Sequence, residues 1–405
     1  MVKNKVVIIT GVFLPEPIVS AGLMADLAER LSEKYDVTVL RPHPTRPKGF
    51  KVPAYDLSDK PYEVVELDSY TCPESKLLGR FHESYSMGKA CQKYIDAHKD
   101  EIRLVYNGSW HVFGRDIIRK ACNKYGIPYI TPVQDVYPES LLSKLPKNGL
   151  VQGVVKGILK PYDDKLLQQA QLVHTISNGM RDYLSETRDV SKDKFVVVRN
   201  WQNEQDFVDY RNNKKVEERN GPFTFMYMGN IGPVAGVDLL LEAFEAANLK
   251  DARLVIAGSG SAKASLQEQA KKMKANIEFW EVPFGQVPAT QDRADVMCLP
   301  IKKGFASTSI PSKLPAYMFS AKPILCCADL DCDTVACINE AKAGWTIEPE
   351  NVGLLTQKFV EVAQTEKYAL EAMGMNGFNY SIANFSRGMN LKKLADACVS
   401  VIEKN

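Results

Sequence analysis

Twice along its 405 residues this chain repeats one alternation: a short β-branched run, a glycine- or proline-bearing loop, then a stretch with apolar residues at helical spacing. In the first half the predicted strands are Val6–Thr10, Val37–Leu40, Leu104–Tyr106, Tyr129–Val133, Leu172–Ile176 and Phe195–Val198. Helices are predicted over about Ala21–Lys34, where Leu23, Leu27, Ala28 and Leu31 form a buried stripe, and near Gly114–Tyr125. A charged, Asn-rich stretch, 209–221, reads as a linker. The second half offers strands at Phe223–Met228, Arg253–Ala257, Ile277–Phe279, Val296–Pro300 and Pro323–Cys326, helices at Gly236–Ala247 and Ser261–Lys274, and a helical tail from about Val352. Strands alternating with helices imply parallel βαβ units with right-handed crossovers. Two such series predict an α/β protein of two Rossmann-like domains facing across a cleft, with ligands at the carboxyl ends of the strands. The domains are expected over 1–202 and 203–385, with the C-terminal helix 386–405 returning to the first.

Composition removes several alternatives. Lys plus Arg number 51 against 49 Asp plus Glu, a net charge of +2, so no global attraction to nucleic acid is expected. Nine cysteines, an odd number in a long chain, point to reduced thiols and a cytoplasmic compartment. Cys326, Cys327, Cys332 and Cys337 match no zinc spacing and have no histidine nearby, so no metal site is expected. Lys3 and Lys5 before the apolar run Val6–Leu14 outline a short signal peptide, but no small-residue cleavage site follows, and a buried first strand accounts for the run. No segment approaches the roughly 20 apolar residues of a membrane span.

Five loops hold the residue types that could carry chemistry. The first turn, Gly11 to Gly22, leads from a strand into a helix N-terminus, where free amides favour an anion. Gly22 there either admits a phosphate or serves helix–sheet packing, and the absence of G-x-G-x-x-G argues against NAD or FAD. Gly229, Asn230 and Gly232, with Gly236 opening the next helix, repeat the arrangement in the second half. In Ser309-Ile310-Pro311-Ser312-Lys313-Leu314-Pro315, the second proline is tolerated only in a first helical turn. Ser312 is therefore the expected N-cap, and the amides of Lys313 and Leu314, beside the Lys313 ammonium, are expected to be free for a diphosphate. In the first half, Asp135 in Gln134–Glu139 follows a strand and either orients a sugar or caps a helix; Tyr137 and Glu139 lie beside it. Asn107, Trp110 and His111 follow another strand and are candidates to line an acceptor pocket, although a lone histidine is more often structural. Residues 141–162, with Lys144, Lys147, Lys156 and Lys160 among Leu, Val and Ile, form a basic amphipathic stretch that suits either an anionic membrane surface or a solvated face.

Taken in order, these motifs resemble family 4 of the retaining GT-B glycosyltransferases. The resemblance is carried by FMYMGNIGPVAGVDLLLEAF from Phe225, LVIAGSGSAKASL from Leu254, RADVMCLPIKKG from Arg293 and STSIPSKLPAYMFSAKPIL from Ser307. VHTISNGM from Val173 and VVVRNWQNEQDF from Val196 are similar to the family's interdomain approach. With QDVYPES from Gln134, the S-x-P-S-K form is closest to bacterial members that build O-antigen, capsule or exopolysaccharide. The resemblance implies a UDP- or GDP-linked sugar donor, a glycan or undecaprenyl-diphosphate-linked acceptor, a hexosyltransferase reaction with retention, and no essential metal or cofactor. It matches Gly22 to a first phosphate loop, Ser309 to Lys313 to a second phosphate site, and Val282 to a loop whose backbone meets the base. Lys313 and Asp135 are then the expected catalytic residues, the first for the leaving diphosphate.

Four positions depart from the family pattern. Asn230 and Ala235 stand where an arginine and a lysine are common, and Thr308 and Ala316 where the two glutamates of E-x7-E fall. Two alternatives follow: a non-catalytic nucleotide-sugar binder or partner subunit, and a GT-B sugar-nucleotide epimerase, which would need acidic and histidine pairs that the matching loops lack.

Overall fold

The computed structural model describes residues 4–49, 51–53, 55–74, 76–110, 112–142, 148–214, 221–232, 235–283, 285–304 and 310–404. The chain divides into two compact units, Met1–Arg199 with Asn390–Asn405, and Asn200–Met389.

Unit 1 is built on strands β1 (Lys5–Thr10), β2 (Asp36–Pro42), β3 (Glu63–Leu67), β4 (Ile102–Gly108), β5 (Tyr129–Val133), β6 (Leu172–Thr175) and β7 (Phe195–Val197). They pair in parallel in the order β3-β2-β1-β4-β5-β6-β7. Its helices are α1 (Val19–Leu31), α2 (Leu77–His98), α3 (Phe113–Tyr125), α4 (Glu139–Leu142), α5 (Gly149–Gln169) and α6 (Asn178–Arg188). The central strands read as near-continuous apolar runs because helices cover both faces; Val6 to Ile9 are all fully buried.

Unit 2 begins with α7 (Gln205–Asn213) and then alternates β8 (Phe223–Met228), α8 (Val237–Ala247), β9 (Ala252–Ala257), α9 (Lys263–Ala270), β10 (Ile277–Trp280), α10 (Val287–Asp292) and β11 (Val296–Pro300). There follow α11 (Lys313–Phe319), β12 (Ile324–Cys327), α12 (Asp333–Ala341), β13 (Gly344–Ile347), α13 (Val352–Ala363) and α14 (Lys367–Phe385). Its strands are also parallel, ordered β10-β9-β8-β11-β12-β13. The last helix, α15 (Arg387–Lys404), starts in unit 2 and buries Leu394, Cys398, Val401 and Ile402 as part of unit 1.

In each sheet the strand order reverses once, between β1 and β4 in unit 1 and between β8 and β11 in unit 2. At such a reversal the connecting helices leave on opposite faces, opening a crevice at the strand ends.

Several elements escaped the sequence reading. The 22-residue α2 hides because its buried face is Glu83, Ser84, Met87, Gly88, Cys91 and Ile95, half of it polar or small. It packs so closely on α3 that a Cβ on Gly88 would stand 2.7 Å from the Gly114 Cα. The short edge strands β3 and β13 also lacked a clear period, and Gln205–Asn213, placed partly in the linker, is helical. All nine cysteines are free and buried, with burial pushing the Cys327 and Cys398 thiols up to about 12. Among the described residues no helix is long and apolar enough to cross a membrane.

Candidate functional site

At the reversal point of unit 2, Gly229 follows β8, and its φ of +153° is one that side-chain-bearing residues rarely adopt. The Lys313 side chain lies across it: a Cβ on Gly229 would stand 2.5 Å from Lys313 Cε. The loop is held from behind. Gly229 N–H donates to the Ala257 carbonyl (3.0 Å) and Ile231 N–H to Ser259 (2.8 Å), while Ala262 N–H returns to Ile231 (3.0 Å). Gly258 and Gly260 permit this contact, since Cβ atoms there would meet the Gly229 and Ile231 carbonyl oxygens at 2.3 Å. Tyr317 anchors α11 beneath it, its hydroxyl donating to the Met228 carbonyl (2.8 Å) and accepting from Met228 N–H (2.9 Å).

The Lys313 ammonium sits 5.6 Å from the centre of the Tyr227 ring and has no carboxylate partner among the described residues. Burial lowers its pKa. A half-buried, unpaired cation is costly unless an anion completes it. The Tyr227 hydroxyl is occupied by the Asn230 carbonyl at 2.6 Å, and burial pushes that phenol up.

Helix α11 does begin at Lys313, with Ser312 as its N-cap residue. Two details differ from the sequence expectation. Ser312 makes no side-chain cap, because its backbone is already helical. Leu314 is not free: its N–H donates to the Pro311 carbonyl at 3.0 Å, closing a tight turn ahead of the helix. With seven residues α11 also has only a small dipole, so the ammonium is the stronger anion-seeking group. Ile310 is half-buried against the core, Ala316 is half-buried on α11, and Asn230 is exposed. Ser309 and Thr308 lie outside the described residues. Val282 follows β10 and packs partly against the unit 2 core; beside it Glu281 pairs with Lys263, which also donates to the Gly258 carbonyl (2.9 Å).

Unit 1 distributes its candidates unevenly. Gly22 lies in the first turn of α1, and a Cβ there would meet nothing within 4 Å, so helix–sheet packing does not explain it. Asp135 is exposed just past the end of β5. Three acceptor candidates are drawn inward instead. Asn107 is fully buried, its amide donating to the Arg115 carbonyl (3.2 Å) and its oxygen accepting from Ser109 (2.9 Å), so it ties a loop rather than facing an acceptor. Glu139 is taken by Arg188 (2.7 Å) and by the Tyr183 hydroxyl (3.0 Å). Tyr137 is half-buried, and its carbonyl also accepts from Arg188 (3.0 Å). His111 lies outside the described residues.

Arg188 was invisible in the sequence as a site residue. Its buried side chain joins Glu139 to Asp163 of α5 (2.8 Å), and burial pushes the Asp163 carboxyl up to about 6 despite that contact. Glu16 was likewise missed: its buried carboxylate accepts from the N–H groups of Phe13 (3.1 Å), Thr45 (2.9 Å) and Arg46 (2.7 Å), fixing the first turn. Neither residue has a spacing signal, because each works through partners distant in sequence. Among the described residues no cluster of His, Cys, Asp and Glu is arranged to hold a metal.

The model of Glycosyltransferase Family 4 matches residues 23–205, and that of Glycosyl transferases group 1 matches 222–365. The chain belongs to the family 4 glycosyltransferases, and its two Rossmann-like domains are those of the GT-B fold. A Pseudomonas aeruginosa protein named as the probable glycosyltransferase WbjE is 22% identical over 288 residues, 68% of each chain. An Escherichia coli K12 protein named as the putative colanic acid biosynthesis glycosyl transferase WcaI is 27% identical over 40% of this chain and 42% of its own. Among solved structures, a Rickettsia africae glycosyltransferase superposes with a TM-score of 0.71 at 16% identity over the whole of both chains. Anabaena HepE, solved with UDP-glucose, gives 0.64 at 13% identity over 98% of this chain and 100% of its own.

Proposed function

We propose that this glycosyltransferase moves a sugar from a UDP- or GDP-linked donor held by unit 2 to a glycan or undecaprenyl-diphosphate-linked acceptor taken by unit 1, with retention, in surface polysaccharide assembly such as O-antigen or capsule. The observation that carries the donor assignment is the Lys313 side chain lying over Gly229 at the reversal point of the unit 2 sheet, its ammonium without a carboxylate partner among the described residues. UDP-glucose in HepE and the colanic acid role in the name of WcaI support the reading.

In this reading the bond between the anomeric carbon and the diphosphate oxygen breaks as the acceptor oxygen bonds the same face of that carbon. Negative charge grows on the leaving diphosphate, where the Lys313 ammonium stabilises it. A phosphate oxygen of the donor takes the acceptor's proton, and Asp135 orients a sugar hydroxyl. No metal is assigned a role, so turnover in excess EDTA should be undiminished. The outward side of α5 adds a second element. Leu150, Val151, Val154 and Ile158 are exposed, with Lys156 among them, which suits an anionic bilayer on the cytoplasmic face. Flotation with phosphatidylglycerol vesicles, lost on Leu150→Ser with Ile158→Ser, tests it; Lys144 and Lys147 lie outside the described residues.

The deciding experiment measures nucleotide release from UDP-, GDP- and dTDP-sugars in the presence of a lipid-diphosphate acceptor, with the product's anomeric configuration read by NMR. Binding without turnover across all donors and acceptors would mark the chain as a non-catalytic binder. Full turnover by Lys313→Ala would remove the phosphate site from Lys313.

A further inference from the structure

The reversal point of unit 1 is built differently from that of unit 2. Here Gly11, after β1, is covered by the indole of Trp110, which follows β4; a Cβ on Gly11 would stand 2.5 Å from Trp110 Cε2. Two guanidinium groups lie over that indole, Arg80 at 4.0 Å and Arg46 at 4.7 Å from the ring centre. Both pair with one carboxylate, that of Glu83, which is 0% exposed. Arg46 is well engaged: it gives three N–H bonds, to both Glu83 oxygens (3.0 and 2.9 Å) and the Cys72 carbonyl (3.0 Å). Arg80 is not. It gives one N–H to Glu83 and has no other side-chain hydrogen-bond partner among the described residues, and its side chain is 29% exposed. Burial and the like charge of Arg46 both lower its pKa, so an anion there would relieve two costs at once.

Immediately N-terminal to Arg80 is a cavity of about 530 Å³ lined by Tyr70, Cys72, Leu77, Leu78 and Gly79, among others. Leu78 is 82% exposed and Leu77 43%, two apolar side chains in the first turn of α2, two and three residues before Arg80; the ion pair Glu74–Lys76 (2.7 Å) lines the other part of the cavity. Tyr70 is held there by stacking on His82, ring centres 4.5 Å apart.

We propose that Arg80, seated on Trp110, binds a phosphate or diphosphate group carried on an apolar chain, and that the Tyr70–Leu77–Leu78 pocket takes the start of that chain. The site deepens the reading of unit 1 as the acceptor side and rests on it. A guanidinium fork suits two phosphate oxygens, and the exposed leucines suit a chain that a sugar phosphate lacks.

Farnesyl diphosphate and inorganic pyrophosphate are the probes, titrated calorimetrically into the full chain, with UDP as a third ligand. The wild type should bind farnesyl diphosphate more tightly than pyrophosphate. Arg80→Ala should weaken both by about ten- to a hundredfold, the value of a lost charge-assisted hydrogen bond, and leave UDP affinity unchanged. Leu78→Ser should weaken farnesyl diphosphate alone. That second variant alters an exposed residue, so it decides the matter even if Arg80→Ala fails to fold. Unchanged farnesyl diphosphate affinity in both variants overturns the proposal. So does competition of farnesyl diphosphate by UDP. Loss of UDP binding by the wild type would instead defeat the donor reading, leaving the Arg80 result to be read by itself.

Discussion

The two halves of this chain both withdraw cations from solvent but complete them differently. In unit 1 two buried cations are matched by carboxylates, Arg188 by Glu139 and Asp163 and Arg46 by Glu83, while the buried Arg115 gives its Nε–H to the Ser109 carbonyl (3.0 Å). In unit 2 Lys313 is half-buried over Gly229 with no carboxylate among the described residues, and burial lowers its pKa. A matched cation belongs to the fold, and removing it strands its partners. An unmatched one is a standing cost to the fold, which a ligand offsets. Arg80 lies between these cases, paired through one N–H and otherwise free.

That contrast can be broken at several points. Arg188→Ala leaves two carboxylates without their buried partner and should lower stability by about 3–5 kcal/mol in urea unfolding; a loss below 1 kcal/mol would mean that the network is better solvated than its geometry shows. Lys313→Ala should raise the urea midpoint or leave it in place, never lower it, but reduce nucleotide release by about 10²–10³-fold, the range for losing one preorganised charge-stabilising group. The same lysine gives UDP binding a pH dependence. Its pKa is depressed, so the charged form and the affinity are present at neutral pH and lost as pH rises through a midpoint below 10.5. A Lys313→Arg protein should not show that loss, and an identical profile would place the titrating group elsewhere. Gly258→Ala forces a Cβ against the Gly229 oxygen at a φ of +124°, so about 1–3 kcal/mol of stability should go, with UDP affinity falling alongside. Gly22→Ala is the mild counterpart: with open space around it and helical backbone, it should raise stability by up to about 1 kcal/mol, and a drop in turnover would show that a ligand uses the space.

The sequence made the architecture legible because parallel sheets covered on both faces write themselves as uninterrupted apolar runs, such as Val6–Ile9 and Phe225–Met228. It also located the start of α11, since Pro315 is tolerated only within a first helical turn. It failed where polar residues are buried by partners far away. Asn107 and Glu139 looked available beside strand ends, yet one is tied to Arg115 and Ser109 and the other to Arg188. Helix α2 was missed for a related reason: Gly88 and Ser84 are buried by close approach to α3 rather than by hydrophobicity.

The sequence by itself therefore determined two Rossmann-like domains, the strand-end loops and Lys313 at a helix start, all set by local periodicity and backbone sterics. Only the tertiary structure decided which charges are spent and which are free. Pairing depends on distances between residues such as Arg46 and Glu83, or Arg188 and Asp163, that no local pattern encodes.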